Sequence, residues 1–348
     1  MRKSSVIKKV LIILVITIII LVIILNLPFV TLNHRESKND YSNWMSETLT
    51  NDMLAVDIKM PGAHDAFSSG INIFSKLDPY NTDSIMKRIP GVLLKGFIVR
   101  QAVTQISVPK TLLEKGVRYF DIRLTYDDEK WITKHNYLSS DFPEAAAQIT
   151  EFLKENPGEF LILDFQHIDG LNYEIDNDYD IFYSMLQSTG LAQYSYDRNI
   201  KELSTITYGD LTDEGTRSRV IIIDKFQKSN KKTFLYSTSI RSSWANSDDF
   251  DKVISFLEEE KSIIDNNSDI KGFRVMQAVA TMQMNFGGII NAIKTWSLIE
   301  RAEDFNIYLF EYDGFKELSE IMPIIMIDYS DSYQFVDYIM NFIKTENN

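Results

Sequence analysis

Gly116-Val117-Arg118-Tyr119-Phe120-Asp121-Ile122-Arg123-Leu124 is the stretch on which the fold turns. Its β-branched and aromatic residues mark a strand, and the glycine before it stops the short helix that begins at Pro109. Side chains alternate along a strand, so Phe120, Ile122 and Leu124 share one face while Tyr119, Asp121 and Arg123 share the other. The first set is a core face. The second points a carboxylate and a guanidinium the same way, which is costly in a core unless the two pair or serve a ligand. Both readings stay open from this segment alone.

Further strands are expected at 55–58, 117–124, 131–135, 160–165, 220–224, 272–276, 307–310 and 324–327. Helices are expected at Pro143 to Lys154, capped by Asp141, and at Asp249 to Lys261. Strand–helix alternation of this density predicts α/β architecture with a parallel sheet, as a barrel or as an open doubly wound sheet. Because no Gly-rich nucleotide loop follows the first strand, a distorted TIM (β/α) barrel is the expectation. The chain has 348 residues with 45% hydrophobic and 24% charged side chains, ample for a full core and unlike disorder or collagen. With no cysteine, disulfide stapling, thiolate catalysis and Cys-ligated metals are excluded.

Charge is unevenly distributed. Arg2, Lys3, Lys8 and Lys9 precede an uncharged run from Val10 to Val30, and no acidic residue occurs before Glu36. Twenty-one residues in a helix reach about 31 Å, enough for the hydrocarbon core of a bilayer. The basic flank predicts a cytoplasmic N-terminus and an extracytoplasmic remainder. The expected organisation is a basic N-terminus at 1–9, a transmembrane anchor at 10–30, a linker at 31–47 and a catalytic barrel at 48–348. A cleaved signal peptide, which would make the protein secreted, is the alternative. The apolar run is long for one, and Asn26-Leu27-Pro28-Phe29-Val30 offers no small-x-small site. Net charge is −13, so nucleic acid is not an expected partner.

Only four histidines occur. His34 falls in the linker. His64 follows Met60-Pro61-Gly62-Ala63, a tight loop just after the first apolar positions, which would place it on the C-terminal rim where barrels gather catalytic groups. A loop histidine that merely bonds a carbonyl fits the hexapeptide equally. His135 ends the segment Trp131-Ile132-Thr133-Lys134-His135. Two imidazoles on neighbouring strand ends can flank one scissile ester, one taking a proton and the other giving one, with an Arg between them stabilising charge on phosphorus. Carboxylates to orient the rings are available in Asp65 and in Asp328, which follows Ile324-Ile325-Met326-Ile327.

Taken in order, these segments resemble a known family. Pro61-Gly62-Ala63-His64-Asp65, Gly116 to Arg123, His135, Phe160-Leu161-Ile162-Leu163-Asp164-Phe165-Gln166-His167, Trp244-Ala245-Asn246 and Ile327-Asp328-Tyr329 are similar to the X domain of phosphatidylinositol-specific phospholipase C. The branch consisting of an X domain alone is the nearest. The resemblance implies a distorted TIM barrel that cleaves a phosphoinositide by attack of the inositol 2-hydroxyl on phosphorus. It implies His64 as general base oriented by Asp328, His135 as general acid partnered by Asp65, and Arg123 on the phosphate. Calcium-dependent relatives carry an acidic residue where Arg123 stands and a Glu where Gln166 stands, so no metal or other cofactor is expected. Asp121, Gln166, Lys225, Arg241, Trp244 and Asn246 are the expected substrate-binding residues, with Asp249 beside them. Lys225 stands where bacterial enzymes place an Arg on inositol. Ala63 and Asn136 depart from the family's usual residues beside the two histidines.

The insertion from Tyr80 to Val103 interleaves Lys87, Arg88, Lys95 and Arg100 with aliphatic residues, the mixture of a segment resting on anionic headgroups or of a helix packed over the barrel. The expected partners are therefore a phospholipid and a membrane. Rival readings are a catalytically silent headgroup-binding module and a metal-dependent glycerophosphodiesterase.

Overall fold

The structure, a computed structural model, describes residues 2–25, 37–82, 91–197, 201–227, 233–283 and 286–346. Ten strands form one sheet: β1 (Met60–Ala63), β2 (Tyr119–Asp127), β3 (Lys130–His135), β4 (Tyr137–Asp141), β5 (Phe160–Asp169), β6 (Arg219–Asp224), β7 (Phe234–Leu235), β8 (Ile240–Ser242), β9 (Phe273–Ala278) and β10 (Ile324–Ile327). Eight of them run parallel in the order β7-β6-β5-β2-β1-β10-β9-β8, and β3 and β4 add an antiparallel extension on β2. Each barrel strand thus lies beside its neighbour in the chain. Among the described residues β7 and β8 do not pair, so the curled sheet is a barrel left open at one seam.

Alternation along β2 holds as read. Phe120, Ile122 and Leu124 face outward with Leu161, Leu163 and Phe165 of β5, against helices Phe142–Glu155 and Asp176–Ser188. Tyr119, Ile162, Ile221 and Ile223 belong to the other core cluster, which runs from these strands to β9, β10 and the helices packed on them. The helix expected from Asp249 is Phe250–Asp265, and Asp249 is its cap, accepting from the Lys252 amide.

Three expectations are corrected. The first strand is Met60–Ala63, whereas residues 55–58 form turns before it. Pro61 and Gly62 signal a loop in sequence, yet here they occupy the strand. A Cβ on Gly62 would lie 2.9 Å from the Tyr119 ring and 3.2 Å from the Met326 Cα, so glycine is what lets β1 sit between β2 and β10. Residues 307–310 end the helix Leu298–Phe310, capped by Ser297, with Leu309 buried and Ile307 and Tyr308 exposed. Tertiary packing of one face overrides the local β-propensity. Finally, β3 lies outside the barrel, and the places of 131–135 and 307–310 in the count of eight are taken by the very short β7 and β8.

The helix Arg2–Leu25 is long and apolar enough to cross a membrane. Residues 26–30 of the expected anchor lie outside the described residues. The expected linker is a correction from residue 37 onward. Ser37 and Tyr41 both donate to Asp337, each at 2.8 Å, and the Trp44 indole donates to the Gly116 carbonyl at 3.0 Å. Buried Arg118 donates to the Tyr41 and Ser42 carbonyls and pairs with Glu159 at 2.8 Å, while Glu159 accepts from the Ser46 amide. This stretch is a strap fastened across the N-terminal end of the barrel, where it supplies the hydrogen bonds that the buried Arg118–Glu159 pair does not make within itself.

Candidate active site

Parallel strands place their C-terminal ends together, and β1, β2 and β10 deliver His64, Asp121, Arg123 and Asp328 to one hollow. The His64 Nδ1 lies 2.7 Å from Asp328 Oδ1. With its Nδ1 proton donated there, neutral His64 presents the Nε2 lone pair inward, where Arg123 Nη2 approaches at 3.4 Å. The same Nε2 stands 3.4 Å from Asp65 and 3.8 Å from Asp121. Burial works against a charged ring, but Asp65, Asp328 and Asp121 outweigh it and raise the His64 pKa to about 9.

Asp65 adopts φ 39, a left-handed conformation that a short polar residue tolerates and that turns its carboxylate back under the rim. It stands between three bases, with Oδ1 2.5 Å from Arg123 Nε and Oδ2 3.2 Å from His135 Nε2. Despite complete burial, which pushes the other way, Arg123 and the two imidazoles hold its pKa well below the usual carboxylate range. His135 Nδ1 lies 2.9 Å from the Ala102 carbonyl. Both of its nitrogens therefore face acceptors, the pattern of an imidazolium with a proton to give. The two histidine rings stand 6.2 Å apart, centroid to centroid, with Arg123 at their side.

Deeper in the barrel lies a second polar layer. The Tyr119 hydroxyl donates to Asp164 at 2.7 Å, and Gln166 donates to the Tyr119 oxygen at 3.3 Å. Burial, with a smaller push from Asp121, raises the Asp164 pKa to about 8 although the Tyr119 bond favours the anion. Lys225 lies 5.0 Å from the Tyr236 ring centroid, and burial lowers its pKa against the pull of Asp164. Asp121, Gln166 and Lys225 thus line or adjoin the hollow as expected from sequence.

Arg241, Trp244 and Asn246 do not join it. Arg241 is spent on Glu260 of the outer helix, with bonds of 2.8 and 3.0 Å. Strand alternation explains this: Ser242, not Arg241, is the β8 residue that bonds Gln277 of β9 and Tyr236. Trp244 is 49% exposed and donates to Thr281. Asn246 accepts from Gln283 and, with Asp248, Lys252 and Glu259, lines a separate surface groove. Asp249 is occupied as a helix cap.

Sequence reasoning missed four contributors. Gln105 donates to the His64 and Ile327 carbonyls at 3.2 and 3.0 Å and accepts from the Ser330 amide and hydroxyl, tying the β1 end to the β10 end. Thr104 donates to the Asp65 carbonyl at 3.0 Å. Asp164 was hidden because the register of β5 on β2 is what sets it beside Asp121, and Tyr236 because its charged neighbours Asp164 and Asp121 lie on other strands. The segment at 91–103 also departs from a free basic island. Arg100 is buried, donates to the Trp296 carbonyl and stacks 4.0 Å from its ring, while Lys87 and Arg88 lie outside the described residues.

The ligand atoms of His64, Asp65 and Asp121 lie within 4.8 Å of one another, a spacing compatible with a metal. However, Arg123 contacts both carboxylates, so a cation there would face a fixed guanidinium.

No family model matches the chain. Two curated relatives are the PI-PLC X domain-containing protein 2 of mouse, 24% identical over 260 residues covering 70% of this chain and 71% of the relative, and of human, 24% identical over 248 residues covering 68% and 77%. The chain is thus similar to PI-PLC X domain-containing proteins over about two thirds of its length. Among solved structures, phosphatidylinositol-specific phospholipase C from Staphylococcus aureus aligns with TM-score 0.57 and 16% identity, over 86% of this chain and 97% of that one. The enzyme from Listeria monocytogenes aligns with TM-score 0.54 and 17% identity, over 89% and 99%. At these identities the structures establish the phospholipase C-like fold of this X-domain relative.

Proposed function

We propose that this chain is a phosphatidylinositol phospholipase C that works without a metal, by acid–base cleavage between two histidines. The observation that carries the reading is the His64–Asp328 bond at 2.7 Å facing His135 across 6.2 Å, with Arg123 beside His64 and joined to His135 through Asp65. His64 Nε2 takes the proton of the headgroup hydroxyl vicinal to the phosphate as its oxygen bonds phosphorus. The bond from phosphorus to the diacylglycerol oxygen breaks, and that oxygen receives the proton of His135 Nε2. A cyclic phosphodiester and diacylglycerol result. Arg123 holds the non-bridging oxygens, where charge grows in the transition state.

The apolar N-terminal helix is proposed as an anchor that keeps the barrel on the extracytoplasmic face. In support, helix Gly91–Arg100 packs beside the N-terminal helix. The segment that follows supplies the Ala102 carbonyl to His135.

The test is cleavage of phosphatidylinositol by the full chain in mixed micelles, followed by phosphorus NMR. Cyclic inositol phosphate is expected, with undiminished rate in EDTA. His64→Ala and His135→Ala should each cost about a hundred- to ten-thousand-fold. Near-full activity in both variants would overturn the assignment, and loss of activity in EDTA would favour a metal on His64, Asp65 and Asp121 instead.

A further inference from the structure

Three imidazoles reach the mouth of this barrel, and two are spent on protein partners. His64 engages Asp328 and Arg123, and His135 engages Ala102 and Asp65. The third is His167. Among the described residues its side chain makes no hydrogen bond and no ion pair, and it is open to solvent at the end of β5.

A local irregularity aims it. Along β5, Asp164 faces into the barrel, Phe165 faces out and Gln166 faces in again. Strict alternation would send His167 outward into the apolar layer and Ile168 inward. Instead the pairing with β2 slips between Ile122 and Arg123, so that Ile122 pairs with Phe165 but Arg123 pairs with His167. Gln166 is the extra residue of a β-bulge, and everything after it changes face. Ile168 joins the outer core, and His167 comes to lie beside Arg123. Arg123, Lys225, Asp121 and Asp169 are its charged surroundings. Partial burial and then the two cations lower its pKa, which keeps the ring neutral with one donor and one acceptor.

We propose that His167 is a substrate-binding residue of this site, donating one ring N–H to the phosphate held by Arg123 and accepting from a hydroxyl of the same polyol headgroup. This rests on the phosphodiesterase reading above. The residue binds and orients; it does not replace His64 or His135 in moving protons.

The test uses the full chain in mixed micelles. His167→Ala should raise KM for phosphatidylinositol by roughly tenfold, as expected for one or two lost hydrogen bonds, and leave kcat within about threefold. His167→Gln, whose amide keeps a donor and an acceptor, should recover most of that loss. An unchanged KM in His167→Ala would overturn the proposal. So would a Gln variant as impaired as the Ala variant, which would mark His167 as merely structural. A second arm needs no turnover. The His167 Cε1 proton, assigned by its absence in His167→Gln, is followed by NMR while myo-inositol 1-phosphate, inorganic phosphate or myo-inositol is added. Saturable movement with the first, and weaker movement with the other two, supports the double contact. Movement with inorganic phosphate alone, or with none of the three, overturns it. A wild type that turns over no lipid yet moves this resonance would sink the proposed function and keep the binding role.

Discussion

Asp328→Asn isolates the contact on which the proposed base depends. Asp328 is 2.7 Å from His64 Nδ1, and it is one of three carboxylates that together raise the pKa of the ring from 6.5 to about 9. A hydrogen bond to a charged group contributes about 1.5–3 kcal/mol. At about 1.4 kcal/mol per pH unit, its loss should bring the His64 pKa down to between about 7 and 8, because Asp65 and Asp121 remain. The asparagine amide can also donate to Nδ1, which moves the ring proton to Nε2 and turns the basic lone pair away from the hollow. Turnover should therefore fall by about a hundred- to ten-thousand-fold even though more of the ring is neutral at pH 7. Stability should respond with a definite sign. A folded pKa of about 9 against an unfolded value of 6.5 stabilises the fold fully below pH 6.5, on the order of 3 kcal/mol, and this is lost as pH rises through about 9. Histidine Cε1 NMR titration of wild type and variant, with urea denaturation at pH 6 and pH 10, reads both effects. A wild-type His64 titrating near 6.5, or a variant with the wild-type titration and turnover, would refute the reasoning.

Other perturbations follow from the same geometry. Arg123→Lys keeps the charge but cannot span Asp65 and Asp121 together, so kcat should drop about a hundredfold or more while KM moves little, measured on micellar substrate. Gln105→Leu removes the side-chain donor to the His64 carbonyl, one of two donors to the Ile327 carbonyl and the acceptor of the Ser330 amide, and should cost about 3 kcal/mol in denaturant melts while loosening the His64–Asp328 pair. Gly62→Ala drives a methyl to 2.9 Å from the Tyr119 ring and 3.2 Å from the Met326 Cα, and should destabilise by about 1–3 kcal/mol, read as a lower Tm.

Much of the site was legible because strand chemistry is periodic. The alternation in Tyr119-Phe120-Asp121-Ile122-Arg123 assigns two charges to one face of a strand, and the isolated settings of His64 and His135 make them candidates for the rim. Where the periodicity breaks, reading fails. Arg241 was placed one face too far in, because nothing local fixes the parity of a three-residue strand. The turn signal of Pro61-Gly62 misleads because the demand for glycine comes from the Tyr119 ring on another strand.

The sequence by itself determined the apolar N-terminal segment, the α/β class and the two histidines and one arginine of the candidate site. These follow from runs and spacings within a few residues of one another. Only the tertiary structure decided who meets whom. Asp328 reaches His64 across 264 positions, Gln105 ties both their strands, the strap from Ser37 fastens to Asp337, and one bulge aims His167 at Arg123. Barrel closure and register bring these groups together, and register is set by the summed packing of every strand on its neighbours, which no local pattern encodes.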